Sequence, residues 1–394
     1  MDRRAYWIWL QHAFGAGSRK PWMIQRHFQG GAEEFWSGKA VLWNSMKFVS
    51  DKEARLLSSF SVSQAEIVLE MCEKLGHTVL TPESADYPEL LRNIDNPPAV
   101  LYARGSMPDV DETPSVAVVG TRRAQPRSLD AAMTVSYQLA VAGAVVVSGG
   151  ALGVDAAAHR GAMRGMGKTV CVLPCGLDNG YLIENYALRE KIAENGILLT
   201  EYPHDTGVAA GTFQVRNRLI SGLSCASLVV EAGRRSGALI TAKYAKEQNR
   251  DVFVYIGNPD DAAFAGCRSL LQDGAKQISS GDEILEEYRL RFTPREAPRA
   301  PRIIKEKQAA PSAPGRVKHA AAQPVLADAA KAAPAAGADD SHEQILRALT
   351  AEAVHISEIG EKTGLPAHKL LAALTQLELE GRVKAFSGRR YALL

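Results

Sequence analysis

A glycine and two arginines follow the short apolar run 116–119 and could bind an anion together. The segment reads Gly120-Thr121-Arg122-Arg123. Backbone amides at the start of a following helix bind anions, and a guanidinium adds bidentate hydrogen bonds to a phosphate. An arginine that pairs with a carboxylate elsewhere is the alternative. The pattern favours an anion site, because a second glycine turn is expected at the same edge of the fold.

That second turn is Ser148-Gly149-Gly150, after the apolar run 144–147. It does not match the Gly-x-Gly-x-x-Gly dinucleotide fingerprint, which would lie on the first strand with an acidic residue closing the second. NAD binding is therefore disfavoured, and no cofactor is predicted. Asp155 and His159 lie four residues apart on the helix that follows. They could act in catalysis or bind a metal, but a local hydrogen bond or a charge at the helix start is the favoured interpretation.

A third segment combines an aromatic residue with polar and basic ones: Phe213, Arg216, Asn217 and Arg218. Aromatic rings stack on bases, at about 1–3 kcal/mol per base, while arginines hold phosphates. A core phenylalanine beside a salt-bridged helix is the alternative. Because Arg122 is expected at the same edge, the pattern favours binding of single-stranded nucleic acid.

A fourth segment, 231–237, again joins a strand to a helix. Ser236 and Gly237 would supply amides for an anion, and Lys243 lies on the helix that follows. No Gly-Lys-Ser/Thr pairing forms a P-loop, so ATP hydrolysis is not indicated. No Ser–His–Asp arrangement or metal-ligand spacing stands out, so neither a catalytic residue nor a metal site is predicted.

Apolar runs and helical segments alternate between residues 111 and 290. The predicted strands are Val116–Val119, Ala144–Val147, Thr169–Leu173, Ile197–Thr200, Ser227–Glu231 and Asp251–Tyr255. The predicted helices include Pro126–Ala142, Val154–Arg164, Glu184–Glu194, Val215–Gly222 and Gly237–Gln248. This alternation predicts an α/β fold with a Rossmann-like, mostly parallel sheet and helices on both faces. Ligands bind beyond the carboxyl ends of such strands, where the glycine turns would converge.

Three other segments flank this predicted domain of residues 111–290. Residues 1–110 predict an N-terminal helical domain, in which two helices flank Gly15-Ala16-Gly17. This unit is similar to a helix-hairpin-helix or SAM domain. It could bind DNA phosphates, or it could be an ordinary helical hairpin. Residues 291–340 are rich in Ala, Pro and basic residues and predict a disordered linker. Residues 341–394 predict a winged helix, whose third helix carries Lys369 and would bind either duplex DNA or protein.

Composition limits the classes of partner and compartment. The 394 residues carry a formal net charge of only +2, so contact with nucleic acid must come from local basic clusters. Five scattered cysteines suit buried thiols in a reducing compartment better than a redox or metal site. There is no secretory signal and no run of about 18 apolar residues that would span a membrane. The sequence thus predicts a cytoplasmic protein without membrane contact.

These motifs together resemble the DNA-processing protein A (Smf) family over residues 1 to about 288. The matching segments are Tyr87-Pro88, Asn96-Pro-Pro98, Gly120-Thr-Arg122, 148–159, Glu201-Tyr-Pro203, 213–221, 229–232 and 236–242. The winged-helix tail is also similar to that of many members. The chain departs from the family at Tyr181-Leu-Ile-Glu-Asn185, where Tyr-Pro-x-x-Asn is usual, and at Ile256-Gly257, where Pro-Gly is usual.

The resemblance implies a protein that is not an enzyme. Members bind single-stranded DNA, protect incoming strands during natural transformation and load a RecA-type recombinase on them in homologous recombination. They act as homodimers formed through the Rossmann-like domain. By position, the resemblance assigns Arg122, Phe213, Arg216, Asn217 and Arg218 to the DNA-binding pocket.

Two other functions stay open. Nucleotide phosphoribohydrolases have similar glycine turns, but their Pro-Gly-Gly-x-Gly-Thr-x-x-Glu motif is missing, and Glu231-Ala-Gly-Arg234 stands near its place. The second alternative is a sequence-specific binder of duplex DNA that acts through residues 341–394.

Overall fold

The computed structural model describes residues 1–181, 183–292, 338–350, 354–365, 370, 373, 374, 377, 382–386 and 390–393. The chain forms two compact units, Met1–Ile304 and Lys305–Leu394. None of the helices in these described ranges is long and apolar enough to cross a membrane. All five cysteines are buried and free of disulfides, as expected from the sequence.

Six helices open the first unit. They are α1 (Arg3–Phe14), α2 (Lys20–His27), α3 (Gly31–Ser37), α4 (Lys39–Ser45), α5 (Asp51–Ser59) and α6 (Val62–Lys74). Ser50 and Ser61 begin α5 and α6 with capping boxes, in which the serine and the residue three positions later satisfy each other's backbone amides. The helices pack around Trp7, Trp9 and Phe35, which are almost completely buried. This aromatic core holds the six helices together.

A nine-stranded sheet forms the centre of the first unit. Its strands are β1 (Thr78–Leu80), β2 (Leu101–Gly105), β3 (Ser115–Gly120), β4 (Val145–Ser148), β5 (Thr169–Val172), β6 (Ile197–Thr200), β7 (Ala226–Val230), β8 (Asp251–Tyr255) and β9 (Lys276–Gln277). Their order is β1-β2-β6-β5-β4-β3-β7-β8-β9. Within this sheet, the neighbouring pairs along β6-β5-β4-β3-β7-β8-β9 are parallel, whereas the pairs β1–β2 and β2–β6 are antiparallel. The mostly parallel sheet is therefore confirmed.

Helices cover both faces of the sheet. They are α7 (Glu89–Arg92), α8 (Pro126–Val141), α9 (Val154–Arg164), α10 (Tyr186–Asn195), α11 (Thr212–Gly222), α12 (Ala238–Glu247), α13 (Ala265–Gln272) and α14 (Gly281–Glu286). One apolar core lies under α8, α9 and α14. A second lies under α11, α12 and α13. The central strands are buried on both sides, which is why they read as continuous apolar runs.

Two predicted helix boundaries need correction. The helix predicted from Glu184 begins at Tyr186, after a 3₁₀ turn over Ile183–Asn185. The helix predicted from Val215 begins at Thr212, so Phe213 lies in its first turn instead of before it. Strand β2 was not predicted from the sequence, although it pairs with β6 inside the sheet. The domain boundary at residue 110 stays a prediction.

The second unit contains α15 (Ala338–Ala348), β10 (Val354–His355), α16 (Ile356–Thr363), β11 (Val383–Phe386) and β12 (Arg390–Leu393). The strands form a sheet in the order β10-β12-β11, which confirms the predicted hairpin and adds a third strand. Leu370, Leu374 and Leu377 are helical and buried in its core. Most of the predicted third helix, 366–380, and of the predicted linker, 291–340, lies outside the described residues.

Candidate functional site

A cavity of about 640 Å³ opens at the carboxyl ends of β3 and β7. The order of the strands reverses between these two neighbours: the chain runs from β3 to β6 in one direction and from β7 to β9 in the other. Such a switch point is where open α/β sheets bind ligands. The lining comes from the segments 119–123, 151–155, 213–220 and 233–241. It includes Arg122, Arg123, Arg216 and Arg235, but only one acid, Asp155.

The loops after β3 and β7 are tied to each other at the mouth of the cavity. Thr121 N donates to Glu231 O at 3.0 Å, and Gln125 N donates to Glu231 Oε2 at 2.9 Å. Glu231 is buried and has a positive φ of 53°, a conformation that costs energy for a residue with a side chain. Gly153 also has a positive φ, of 80°, and a Cβ there would lie 2.4 Å from Thr121 O. The two loops are therefore held in one fixed arrangement.

A cation and an aromatic ring meet at the open side of the cavity. The Arg122 guanidinium carbon lies 4.9 Å from the centroid of the Phe213 ring. The Tyr181 ring approaches the same phenylalanine edge-on, with centroids 5.8 Å apart. Arg122 is exposed, so its guanidinium is accessible from solvent. This arrangement offers a positive charge and flat stacking surfaces at one place.

Arg216 is a buried structural cation in the lining of the cavity. Its Nη1 donates to Gly149 O at 2.7 Å and to Val172 O at 2.8 Å. Gly149 is required because a Cβ would lie 1.8 Å from that nitrogen. Burial raises the pKa of Asp155, and the positive charge of Arg216 opposes this shift; burial also lowers the pKa of Arg216. Arg216 thus fixes the turn after β4 against β5.

Arg218 points away from the cavity, to the N-terminal helices. Its Nη2 donates to both carboxylate oxygens of Glu201, at 2.5 and 2.6 Å, and both side chains are buried. Gly17 N donates to Glu201 Oε1 at 3.3 Å. The Gly-x-Gly turn that could have bound DNA phosphates therefore gives this amide to a protein carboxylate. The predicted contact of Arg218 with phosphate needs correction, because its charge is already paired and buried.

The structure brings together most, but not all, of the predicted site residues. Those that line the cavity are Gly120, Thr121, Arg122, Arg123, Phe213, Arg216, Asn217, Ser236 and Gly237. Those outside its lining are Ser148, Gly149, Gly150, Arg218 and Lys243. Ser148 donates its hydroxyl hydrogen to Val118 O inside the sheet. Lys243 points into solvent and pairs with Glu247 at 3.7 Å.

Arg235 lines the cavity but was not predicted from the sequence, which favoured the amides of Ser236 and Gly237 beside it. The available signal was the Arg234-Arg235 pair, which follows β7 as Arg122-Arg123 follows β3. Each of the two loops at the switch point thus contains a pair of neighbouring arginines after a parallel strand.

His159 acts as a local hydrogen-bonding residue, as favoured from the sequence. Its Nδ1 lies 2.8 Å from Thr169 Oγ1, and burial lowers the pKa of the imidazole to about 3. The ring is therefore neutral at physiological pH. Within the described ranges, no group of three or more His, Cys, Asp or Glu side chains could hold a metal ion.

Comparison with known proteins agrees with the sequence-based resemblance. Residues 78–289 match the family model of DNA recombination-mediator protein A, and residues 329–389 match the DprA winged helix domain. Protein Smf of Synechocystis is 32% identical over 403 residues, which cover 99% of this chain and 98% of that protein. DNA processing protein DprA of Bacillus subtilis is 36% identical over 220 residues, which cover 56% of this chain and 74% of that protein.

Solved structures show the same relationship. DNA processing protein A from Streptococcus pneumoniae superposes with a TM-score of 0.63 at 28% identity, covering 73% of this chain and 99% of that one. Its counterpart from Helicobacter pylori, described with a single-stranded DNA binding mode, has a TM-score of 0.50 at 32% identity and covers 55% and 97%. The predicted resemblance and the winged-helix prediction are confirmed. The chain belongs to the DNA recombination-mediator protein A family.

Proposed function

We propose that the chain binds single-stranded DNA in the cavity at the carboxyl ends of β3 and β7. The observation that carries this proposal is the contact between Arg122 and Phe213, at 4.9 Å, on the accessible side of an arginine-rich cavity. Guanidinium planes and aromatic rings both stack on unpaired bases. Arginines also neutralise phosphates. A stacking platform beside cations suits a single strand, because the bases of a duplex are not free to stack on protein.

The proposed roles of the site residues differ with their exposure to solvent. Arg122, Arg123 and Arg235 are exposed and reach the phosphates, while Phe213 and Arg122 stack a base. Arg216 is buried in the cavity lining and holds the turn at Gly149. Arg218 and Lys243 are left out of this site, because neither lines the cavity. Contacts of this kind read no base edges, so binding should be sequence-tolerant and salt-sensitive.

The cellular role we propose follows from membership of the family. The chain would act in the cytoplasm, without catalysis, protecting single strands and loading a RecA-type recombinase on them during transformation and homologous recombination. It would do so as a homodimer through the Rossmann-like domain. The domain division at residues 110, 290 and 340 is part of the same proposal. The family match and the Helicobacter pylori relative support it.

Replacing Arg122 with alanine should weaken binding to single-stranded DNA. We expect a loss of at least about tenfold, or about 1.4 kcal/mol, because both the charge and part of the stacking platform disappear. The measurement is fluorescence anisotropy of the full chain with labelled oligo-dT of ~20 nucleotides across a salt series. The matched control is Arg289→Ala, because Arg289 is exposed and lines a cavity at the opposite, amino end of β3.

The comparison with Lys369→Ala tests where binding occurs. If Arg122→Ala and Lys369→Ala weakened binding equally, the proposed cavity would not be the main site. Unchanged binding by Arg122→Ala, with a preference for duplex, would favour a site in the second unit. Release of free base from a nucleoside monophosphate would instead support an enzyme.

A further inference from the structure

We propose that a bound strand continues from this cavity across the loop 231–237 into a second subsite, formed by Arg234 and Arg268. The subsite would take phosphodiester groups of nucleotides that flank the segment in the first cavity. This inference rests on the proposed function and extends it, because it assigns a further DNA-binding surface and predicts that affinity depends on strand length.

The loop 231–237 separates two cavities. Gly233, Arg235 and Ser236 line the first, whereas Arg234 lines a neighbouring cavity of about 510 Å³. The neighbours Arg234 and Arg235 therefore face opposite sides of one loop, which forms the wall between the cavities. A chain that lies in the first cavity has to cross only this wall to reach the second.

The charge of the second cavity matches that of the first. Its lining includes Arg234 and Arg268, together with the polar Ser269 and Gln272, and contains no carboxylate. In contrast, the cavity beside β9 is lined by four carboxylates and one lysine. Two adjacent cavities of the same positive sign suit a continuous polyanion better than a single small anion.

The second cavity is held in place by contacts with the loops of the first. Gly266 N, at the start of α13, donates to Ala232 O at 2.7 Å. Arg268 Nη1 donates to Asp261 O at 2.8 Å, and Gln125 Nε2 donates to Asp261 Oδ2 at 2.7 Å. These bonds join the loops after β3, β7 and β8. The two subsites therefore keep a fixed relative position, which favours a strand that contacts both.

The test compares Arg234→Ala with Arg235→Ala on short and long strands. Arg234 is exposed, so its replacement should leave the fold intact; tryptophan fluorescence checks this. Anisotropy would be measured for the full chain with oligo-dT of ~6 and ~20 nucleotides. The short strand would occupy only the first cavity, whereas the long strand would also reach the second subsite. For Arg234→Ala we expect unchanged affinity for the short strand and a loss of about three- to tenfold for the long one. Its salt slope for the long strand should fall by about 0.7, the value of one lost phosphate contact.

Arg235→Ala is the matched control, because it lies on the same loop but lines the first cavity. It should weaken both lengths. If Arg234→Ala weakened both lengths equally, or neither, the second subsite would be overturned. If the unchanged protein bound neither length, the proposed function itself would fail, which is a separate result.

Discussion

Replacing Glu201 with alanine should lower the free energy of unfolding of the first unit by about 3–5 kcal/mol, because it leaves a buried charge without its partner. Arg218 Nη2 gives both of its hydrogen bonds to Glu201, and the two side chains are 4% and 1% exposed. The Nε and Nη1 atoms of Arg218 have no hydrogen-bond partner among the described residues. The Glu201 carboxylate therefore accepts the side-chain hydrogen bonds of the buried Arg218 guanidinium and compensates its charge.

Urea unfolding followed by tryptophan fluorescence measures this effect. All five tryptophans lie in the first 43 residues, so the signal reports only the first unit. The double variant Glu201→Leu, Arg218→Met removes both charges and should recover most of the lost stability. If Glu201→Ala unfolded at the urea concentration of the unchanged protein, the ion pair would not be a stabilising contact.

Replacing Arg216 with methionine should also lower the free energy of unfolding by about 3–5 kcal/mol. The change leaves Gly149 O and Val172 O without their donor, and it removes the stronger of the two positive charges, Arg216 and Arg122, that act on the buried Asp155 carboxylate. Methionine keeps much of the side-chain volume, so the loss reports the charge and hydrogen bonds more than a cavity. The same urea experiment measures it.

The control for Arg216→Met is Arg160→Met, at an exposed position on α9. It should change the stability by no more than about 0.5 kcal/mol. A purely DNA-contacting Arg216 would behave differently: the variant would keep the stability of the unchanged protein and lose only affinity for oligo-dT. That outcome would contradict the buried structural role.

The sheet was predictable because its central strands are buried on both faces. Continuous apolar runs such as 116–119 and 145–147 are typical of buried parallel strands when glycine turns and helical segments alternate with them. The position of the cavity followed from the same pattern, since loops after parallel strands gather at one edge. Arg122 and Phe213 were predicted to share that edge, and the structure places them in contact.

The direction of each arginine on α11 was not predictable. Arg216 and Arg218 lie two residues apart, which turns them about 200° from each other around a helix. Their partners Gly149, Val172 and Glu201 follow or end three other strands, far away in sequence. Sequence spacing gives the angle between the two side chains but not which of them faces the ligand.

Arg235 was missed for a related reason. In the segment 231–237, amides and guanidinium groups are equally plausible anion donors from the residue types alone. Only the path of the loop shows that Arg235 faces the first cavity and Arg234 the second.

Helix α11 supplies three different contacts within six residues: Phe213 under Arg122, Arg216 on the turn at Gly149, and Arg218 on Glu201. One inserted or deleted residue between Phe213 and Arg218 would rotate one part of the helix by about 100° relative to the other. The altered helix could not keep all three contacts at once. We therefore expect that insertions and deletions are not tolerated in this segment of α11. They should be tolerated in the largely exposed loop 204–211 before it.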